Sequence, residues 1–424
     1  MTKQVTLICG VTTGAIYKPD QDVKTAVSAI LSYHVTGFEQ TYAFKSGTWD
    51  GTSTFFRWST STFPAGFLAF VAARLKQEGY EVKIVRKPLP APKGPERPKV
   101  GSYPDDPRYE YQYETVNRLV KYGGMVAMVS TGGGKTRICE LAFARIRRPT
   151  LFITTRQILM YQMKRNIEKD IGIPVGVIGD QEFGVNGDPT KLGMFNVAMV
   201  QTIAARLKGA SRKDTAIIAK QKEAEKKQML SILEKMEFIV LEEAHESSGN
   251  QYFEICNLCK NAAYRLALTA TPFMKDDEEA NMRLMAVSGG VGIHITEKQL
   301  IDSGILAKPY FKIINLHEKP KYLRKATPWQ QAYRLAIVEN EERNQLIVSE
   351  ALKAKHHGLS VMCLVLHKDH GKMLKTLMED VGLKVEFIFG ESKQKTRQAN
   401  LDKLKNNEIN VLIGSTILDV GVDV

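Results

Sequence analysis

The chain has 424 residues and a mass of 47.5 kDa, which at roughly 150 residues per domain predicts about three domains. Hydrophobic residues make up 43% and charged residues 25%; these fractions are typical of a globular protein and exclude a disordered or fibrous one. The net charge of +13 favours a polyanionic partner, nucleic acid ahead of an acidic membrane surface, although a merely basic enzyme has a similar composition.

The five cysteines are too few and too scattered for a disulfide framework, so their usage favours a reducing, cytoplasmic location. Cys256 and Cys259 form a C-x-x-C pair, but no second pair of ligands follows. We therefore expect two helix residues one turn apart and no structural zinc. No apolar run approaches the about 18 residues of a transmembrane helix, and the start of the chain lacks the pattern of a signal peptide. We expect no membrane association.

The first 87 residues are predicted to form a small α+β domain. Alternating apolar residues favour strands, and helical spacing followed by Gly79 favours a helix. The expected elements are a strand over 5–9, a hairpin over 41–58 with its turn at Asp50 and Gly51, a helix over 63–78 and a strand over 81–85.

Residues 88–107 contain seven prolines, and the overlapping stretch 83–99 holds six basic residues and one acidic residue. Proline fixes the backbone in an extended conformation, so this segment is predicted to be a stiff linker and not a folded element.

After the linker, short apolar runs alternate with helical spacing, which is typical of buried parallel strands in a wound α/β sheet. The expected strands are 124–129, 150–154, 196–200, 238–241 and 265–268 in a first series and 361–366, 384–388 and 411–413 in a second. The sequence therefore predicts two tandem α/β domains, 108–305 and 306–424. A Lys/Glu-rich insertion at about 206–236 is predicted to be a solvated helical arm.

A glycine-rich turn joins the strand 124–129 to the next helix, with the sequence Ser130-Thr131-Gly132-Gly133-Gly134-Lys135-Thr136. Glycines allow backbone N–H groups to close on phosphates, and a helix N-terminus favours negative charge. Lys135 is placed to reach the β and γ phosphates of ATP, and the Thr136 hydroxyl to bind Mg²⁺. The loop therefore predicts ATP and Mg²⁺ as cofactors.

Two adjacent carboxylates, Glu242 and Glu243, end the apolar strand at 238–241. Successive strand residues point to opposite faces, so the two can divide the work. One can hold Mg²⁺ while the other orients and deprotonates an attacking water. A solvated helix start is the alternative, since glutamate is common there.

Thr269 and Thr271 follow the next strand, where their hydroxyls can relay between two sites or simply precede the break at Pro272. The phosphate loop, the carboxylate pair and the threonines occur in that order, each at the end of a strand. Ligands of open α/β sheets bind at this carboxyl edge, so the order favours one shared site.

With these motifs, residues 108–424 resemble the superfamily 2 helicases and translocases, which are built on two RecA-like domains. The resemblance implies an adenine contact for Gln112 and catalysis by Lys135, Glu242 and Glu243, with Glu243 as the base. Glu242-Glu243-Ala244-His245 is similar to the family's DEAH motif. Residues implied to couple the nucleotide and nucleic-acid sites are His245, Thr269 and Thr271. Residues implied to contact nucleic acid are Thr155, Arg156, Gln201 and Thr202.

The second α/β domain carries further matches. The resemblance implies nucleic-acid contacts for His370, Gly390, Ser415 and Thr416, and nucleotide contacts for Gly421 and Asp423.

Three departures from the family pattern stand out. Val129 occupies the first glycine position of the phosphate loop, and Glu242 replaces an aspartate, which puts its metal role in doubt because Mg²⁺ requires tight geometry. The chain stops at Val424, before the family's arginine-finger motif. We therefore expect the native protein to be longer, and this form to hydrolyse ATP poorly, since such arginines are worth about 10³–10⁵ in rate.

The N-terminal region looks like the small duplex-binding domain of bacteriophage recombination helicases, which act on forks and Holliday junctions. Lys45 and Arg57 are candidate phosphate contacts. About half of the neighbouring aromatic residues are expected to fill the core and the rest to stack on bases. These aromatic residues are Trp49, Phe55, Phe56 and Trp58.

The sequence therefore predicts an ATP-dependent DNA helicase or translocase that acts on branched duplex DNA while tracking a single strand. Two alternatives stay open, an RNA helicase of the same superfamily and a non-catalytic nucleic-acid clamp with a decayed ATP site. The motor subunit of a restriction enzyme is less favoured, because no nuclease signature stands out.

Overall fold

The computed structural model describes residues 3–102, 105–243, 250–272, 277–317, 320, 322–390 and 394–415. The chain divides into two compact units, 1–308 and 309–424, which are described separately.

The N-terminal part of the first unit is a small sheet with a core of its own. Strand β1 pairs antiparallel with β2 and parallel with β6, and the order across the described sheet is β5-β2-β1-β6. Helices α1 and α3 pack on it. The elements are β1 (Gln4–Cys9), β2 (Thr13–Ile16), α1 (Gln21–Ile30), β3 (Ser32–His34), α2 (Tyr42–Lys45), β4 (Thr52–Thr54), β5 (Thr62–Pro64), α3 (Leu68–Gln77) and β6 (Glu81–Arg86).

The hairpin predicted over 41–58 is wrong. The Asp50 carboxylate accepts hydrogen bonds from the backbone N–H and hydroxyl of Thr52, and Gly51 has a φ of 83°, so the expected turn is present. This turn joins α2 to β4 and does not join two strands. The Thr41 hydroxyl caps α2, so a helix takes the place of the first expected strand. Strand β4 pairs with β3.

The rest of the first unit is built on a large sheet, which in the described residues has the order β10-β9-β11-β8-β12-β13-β7-β14. Its strands are parallel except β10, which runs antiparallel to β9. The elements are α4 (Glu110–Tyr122), β7 (Gly124–Val129), α5 (Lys135–Ile146), β8 (Thr150–Thr154), α6 (Gln157–Asp170), β9 (Val175–Gly179), β10 (Glu182–Val185), β11 (Phe195–Met199), α7 (Val200–Leu207), α8 (Ala216–Lys235), β12 (Phe238–Glu242), α9 (Asn250–Leu258), β13 (Tyr264–Thr269), α10 (Glu278–Ser288), β14 (Val291–Ile295) and α11 (Glu297–Asp302).

Helix α8 is the insertion predicted at 206–236, and only its first half is solvated. Met229, Ile232 and Leu233 in the second half are buried in the core on one face of the sheet. The prediction of a solvated arm is therefore correct only for the first half of the helix, because lysine and glutamate dominate the composition and conceal this short apolar stripe.

The N-terminal sheet packs against α10 of the larger sheet. A Cβ on Gly66 would collide with the backbone carbonyls of Met285 and Ala286. The Phe55 ring lies 5.8 Å from that of Phe253 in α9, and the His34 N–H donates to Glu278 at 3.0 Å. The close backbone approach at Gly66 holds the two parts together.

The proline-rich segment 88–102, which we call the strap, contains no helix or strand, and it lies along the larger sheet's layers instead of crossing solvent. The Tyr264 hydroxyl donates to the carbonyl of Pro90 at 2.5 Å. Gly94 exchanges hydrogen bonds with Arg145 of α5. Val100 is buried in the core. The lack of a helix or strand agrees with the prediction of a segment that is not a folded element, whereas the docking was not foreseen.

The second unit has a parallel sheet that in its described part has the order β15-β17-β16. Its elements are α12 (Trp329–Tyr333), α13 (Glu341–His356), β15 (Val361–Leu364), α14 (Lys368–Asp380), β16 (Val385–Ile388), α15 (Gln394–Lys405) and β17 (Val411–Gly414). The second series of predicted strands corresponds to these three.

The C-x-x-C pair is buried at the end of α9, and burial raises the pKa of the Cys259 thiol to about 12. Within the part of the chain that is described, no helix has both the length and the apolar character needed to cross a bilayer.

Candidate functional site

Polar residues gather at the carboxyl edge of the large sheet. Strands β11, β8, β12, β13 and β7 are neighbours in this sheet and run parallel. Each is followed by residues that the sequence singled out, so parallel pairing brings them to one edge. This edge is the candidate site.

The loop between β7 and α5 has the backbone expected of a phosphate cradle. Gly132 and Gly134 have φ values of 81° and 76°, in the left-handed region that glycine adopts without strain. Gly134 precedes the first residue of α5, Lys135, and the free N–H groups of a helix's first turn attract anions. A Cβ on Gly134 would lie 2.5 Å from the Gln112 amide nitrogen. The loop geometry therefore fits a nucleotide's phosphates.

Gln112, predicted to contact adenine, contacts this loop. Its side chain is buried, and its Nε2 donates to the carbonyl of Gly133 at 3.3 Å. The hydroxyl of Tyr111 donates to the same carbonyl at 2.6 Å. Since Nε2 contacts the loop, the predicted adenine contact falls to the amide oxygen of Gln112, and this contact stays a prediction.

Lys135 and Glu243 are brought together. The Lys135 ammonium lies 3.4 Å from Oε1 of Glu243, and each side chain is only about a tenth exposed. Glu243 directly follows β12 with a φ of 46°, an unusual conformation for a residue other than glycine. Such strain at a strand end is typical of residues held for function.

Glu242 is buried beside this pair. Burial raises the pKa of its carboxyl to about 8, the Lys135 ammonium opposes this, and the neighbouring Glu243 adds to it. Its Oε2 has no hydrogen-bond partner among the described residues. A buried, unpartnered carboxylate oxygen next to the phosphate loop fits a bound cation. If Mg²⁺ binds, Glu242 and Thr136 of α5 are the residues placed to hold it.

Thr269 is buried at the end of β13 and its hydroxyl accepts a hydrogen bond from the N–H of Thr271 at 3.2 Å, whereas Thr271 is exposed. Their position one strand from Glu242 is compatible with coupling. His245, also predicted to couple the sites, lies outside the described residues.

The residues predicted to contact nucleic acid in the first unit also lie side by side. Thr155 and Arg156 follow β8, while Gln201 and Thr202 begin α7 after the adjacent β11. Gln201 donates from Nε2 to the carbonyl of Thr155 at 3.4 Å. These four residues can line one path along the edge.

His370 requires a correction. Its ring is buried, with 2% of the residue exposed, and Nε2 lies 2.9 Å from Oδ1 of Asn344. Burial lowers its pKa to about 4, helped by Arg343 and His367, so the ring is neutral at physiological pH. A neutral, covered ring cannot reach a phosphate. His367 and Lys368, at the start of α14, are exposed.

Gly390 is exposed after β16 and accepts a hydrogen bond from Arg397, while Ser415 is buried after β17. Both lie at the carboxyl edge of the second unit's sheet. Thr416, Gly421 and Asp423 fall outside the described residues, so their predicted contacts stay predictions.

Lys45 at the end of α2 and Arg57 between β4 and β5 are both exposed. Phe56 is buried and Phe55 packs on Phe67, whereas Trp58 is 40% exposed. The N-terminal region thus keeps cations and an aromatic side chain on its surface.

Sequence reasoning missed Tyr111 and Arg137. No motif in the sequence singles out Tyr111, although its hydroxyl makes the shorter contact to the loop. Arg137 lies one residue after Thr136 and donates to the carbonyl of Val100 in the strap.

Two models of known protein families match this chain. A family model described as "Type III restriction enzyme, res subunit" matches residues 107–274, and one described as "Helicase conserved C-terminal domain" matches 342–424. The two models match both units in chain order. With the relatives described below, these matches confirm the predicted resemblance to the superfamily 2 helicases. The predicted fold class, two tandem RecA-like α/β domains after a small α+β region, is confirmed.

Individual relatives are distant. The chain is 24% identical over 189 residues to a yeast (Saccharomyces cerevisiae) protein named "Putative ATP-dependent helicase IRC3", covering 44% of this chain and 27% of that protein. It is 22% identical over 356 residues to the "DNA 3'-5' translocase XPB2" of Sulfurisphaera tokodaii, covering 74% and 72%. The chain spans about a quarter to about half of the length of the first curated relatives that it matches.

The crystal structure of UvsW from bacteriophage T4 superposes on this chain with a TM-score of 0.54 and 15% sequence identity. The superposition covers 99% of this chain and 82% of the UvsW chain. At this identity the likeness establishes the fold. The predicted resemblance to bacteriophage recombination helicases is confirmed at that level.

Proposed function

We propose that the chain is an ATP- and Mg²⁺-dependent DNA helicase or translocase that acts on branched DNA. The observation that carries this proposal is the ion pair between Lys135 and Glu243, 3.4 Å apart. It joins the phosphate loop to the carboxylate strand at the edge where Thr155 and Gln201 lie. Nucleotide chemistry and strand contact therefore share one edge.

Each residue has a role in hydrolysis. Lys135 binds the terminal phosphates and stabilises charge that develops on them. Glu243 leaves Lys135 when phosphate arrives, orients the attacking water and accepts its proton. Glu242 and Thr136 would hold Mg²⁺, which would neutralise phosphate charge when bound. Thr269 and Thr271 connect β13 to the strand-binding edge.

Strand movement requires more than one grip. In the first unit the grip is formed by Thr155, Arg156, Gln201 and Thr202. In the second it includes Gly390 and Ser415, at the carboxyl edge of that unit's own sheet. ATP turnover that tightens one grip while releasing the other moves the chain along a single strand. The name of the Sulfurisphaera translocase supports a 3′-to-5′ direction.

DNA is favoured over RNA by the relatives' names and by the N-terminal region. Its exposed Lys45 and Arg57 can contact phosphates of a duplex without reading sequence. Shape-directed contacts of this kind favour forks and junctions over linear DNA, and their strength falls with added salt.

The test is the steady-state ATPase rate with single-stranded DNA, linear duplex, a three-way fork, a four-way junction or single-stranded RNA. We expect stimulation by forks and junctions above linear DNA, and none for Lys135→Ala. Preference for RNA would replace the proposal with an RNA helicase. Tight DNA binding without stimulated turnover on any substrate would replace it with a nucleic-acid clamp.

A further inference from the structure

The carbonyl of Gly133, in the middle of the phosphate loop, receives two side-chain hydrogen bonds from one helix. Tyr111 donates from its hydroxyl at 2.6 Å and Gln112 from Nε2 at 3.3 Å. A carbonyl oxygen has two lone pairs, so both contacts can form at once. Burial raises the pKa of the Tyr111 hydroxyl, so it keeps its proton at neutral pH and remains a donor.

Fixing this carbonyl also fixes the direction of an N–H group. A peptide unit is planar and trans, so the carbonyl of Gly133 and the N–H of Gly134 point in opposite directions. With the carbonyl held towards α4, the N–H of Gly134 faces away from α4. Gly134 is the residue before Lys135, where backbone N–H groups bind phosphate in loops of this kind.

We propose that Tyr111 is a positioning residue for the phosphate loop, holding the peptide between Gly133 and Gly134 so that its N–H is presented to the phosphates of the nucleotide. This inference rests on the proposed function, since it presumes that the loop binds a nucleotide. The contact involves no base atom. Tyr111 therefore contributes equally to the binding of every nucleoside triphosphate and of inorganic tripolyphosphate.

The test is Tyr111→Phe, which removes the hydroxyl and keeps the ring. The matched control is Tyr113→Phe on the same helix, because the Tyr113 hydroxyl donates at 3.3 Å to the carbonyl of Pro98, in the strap. Affinity is measured by titration with a fluorescent ATP analogue and by competition with ATP, CTP and tripolyphosphate. Thermal melting of both variants reports on folding.

We expect Tyr111→Phe to weaken ATP, CTP and tripolyphosphate by the same factor, about threefold to tenfold. The ratio of ATP to CTP affinity stays at the wild-type value, and Tyr113→Phe binds within about twofold of wild type. Both variants remain folded and melt within about 5 °C of wild type, since each loses one hydrogen bond.

Three results would overturn the inference. Unchanged affinity in Tyr111→Phe, with wild type binding ATP, removes the positioning role and leaves the proposed function standing. A changed ATP to CTP ratio with unchanged tripolyphosphate affinity makes Tyr111 a base contact. Equal weakening in Tyr113→Phe makes the effect a general one of the helix. Failure of the wild-type chain to bind any of the three ligands would instead contradict the proposed function.

Discussion

Glu140 makes the stability of the first unit depend on pH. It lies in α5 with 1% of the residue exposed, and its Oε2 has no hydrogen-bond partner in the described residues. The guanidinium of Arg137 is 3.8 Å away, beyond hydrogen-bond distance. Burial raises the pKa of the Glu140 carboxyl to about 7, the charge of Asp170 adds to this, and Arg137 opposes it.

The sign follows from proton linkage. The ordinary pKa is 4.5, so between the two values the folded chain binds more protons than the unfolded one, and stability falls as pH rises. This contribution is complete below the unfolded pKa and is lost as pH passes through the folded pKa. Between pH 5 and pH 8 the loss amounts to between about 2 and 3 kcal/mol of unfolding free energy.

Glu140→Gln keeps the shape and removes the titration. We expect the difference in unfolding free energy, Glu140→Gln minus wild type, to increase by between about 2 and 3 kcal/mol from pH 5 to pH 8. Guanidinium unfolding curves of both proteins at several pH values measure this difference. Glu114→Gln, on the exposed side of α4, is the control and should stay within about 0.5 kcal/mol of wild type throughout. Parallel pH profiles for wild type and Glu140→Gln would refute the reasoning.

Three further changes test the site and the docking. Lys135→Ala should lower ATP affinity and abolish ATP turnover, while its DNA affinity, measured by fluorescence anisotropy, stays within about twofold of wild type. Lys121→Ala, at an exposed position, is the control. Undiminished ATP turnover in Lys135→Ala would contradict the assignment of the phosphate loop. Glu243→Gln should retain nucleotide binding and lose hydrolysis in a single-turnover assay, and equal loss of both would make Glu243 structural. Gly66→Ala should destabilise the first unit by about 1–3 kcal/mol in thermal melts, because its Cβ meets backbone of α10, whereas Gly290→Ala has open space and should melt like wild type.

Five strands of the large sheet and the three described strands of the second unit could be predicted, because buried parallel strands read as unbroken apolar runs. The prediction missed β9, β10 and β14. The run at 238–241 ends in β12 with Glu242 and Glu243 at the carboxyl edge, as expected. The hairpin failed because an Asx turn at Asp50 serves a helix-to-strand connection as well as a strand-to-strand one.

Burial of single side chains was beyond sequence reasoning. His370 matched the family segment, yet its ring is held in the core by Asn344, a residue 26 positions earlier on another helix. Tyr111 and Gln112 both contact Gly133 because α4 runs beside the loop, and no spacing along the chain reveals that approach. The roles of Tyr111 and Gln112 in nucleotide binding remain predictions.

The strap has a consequence for how freely its own sequence can vary. The groups of the strap that hold it are mostly peptide carbonyls, and the side-chain donors on the folded layers are Tyr113, Arg137, Arg145, Arg148 and Tyr264. A carbonyl is present whatever the side chain, so most strap positions can change among relatives without loss of docking. Gly94 is different, because any Cβ there meets the carbonyl of Ala144. Divergent sequences in this segment can therefore preserve one path, with selection concentrated on the glycine and on the five donor side chains.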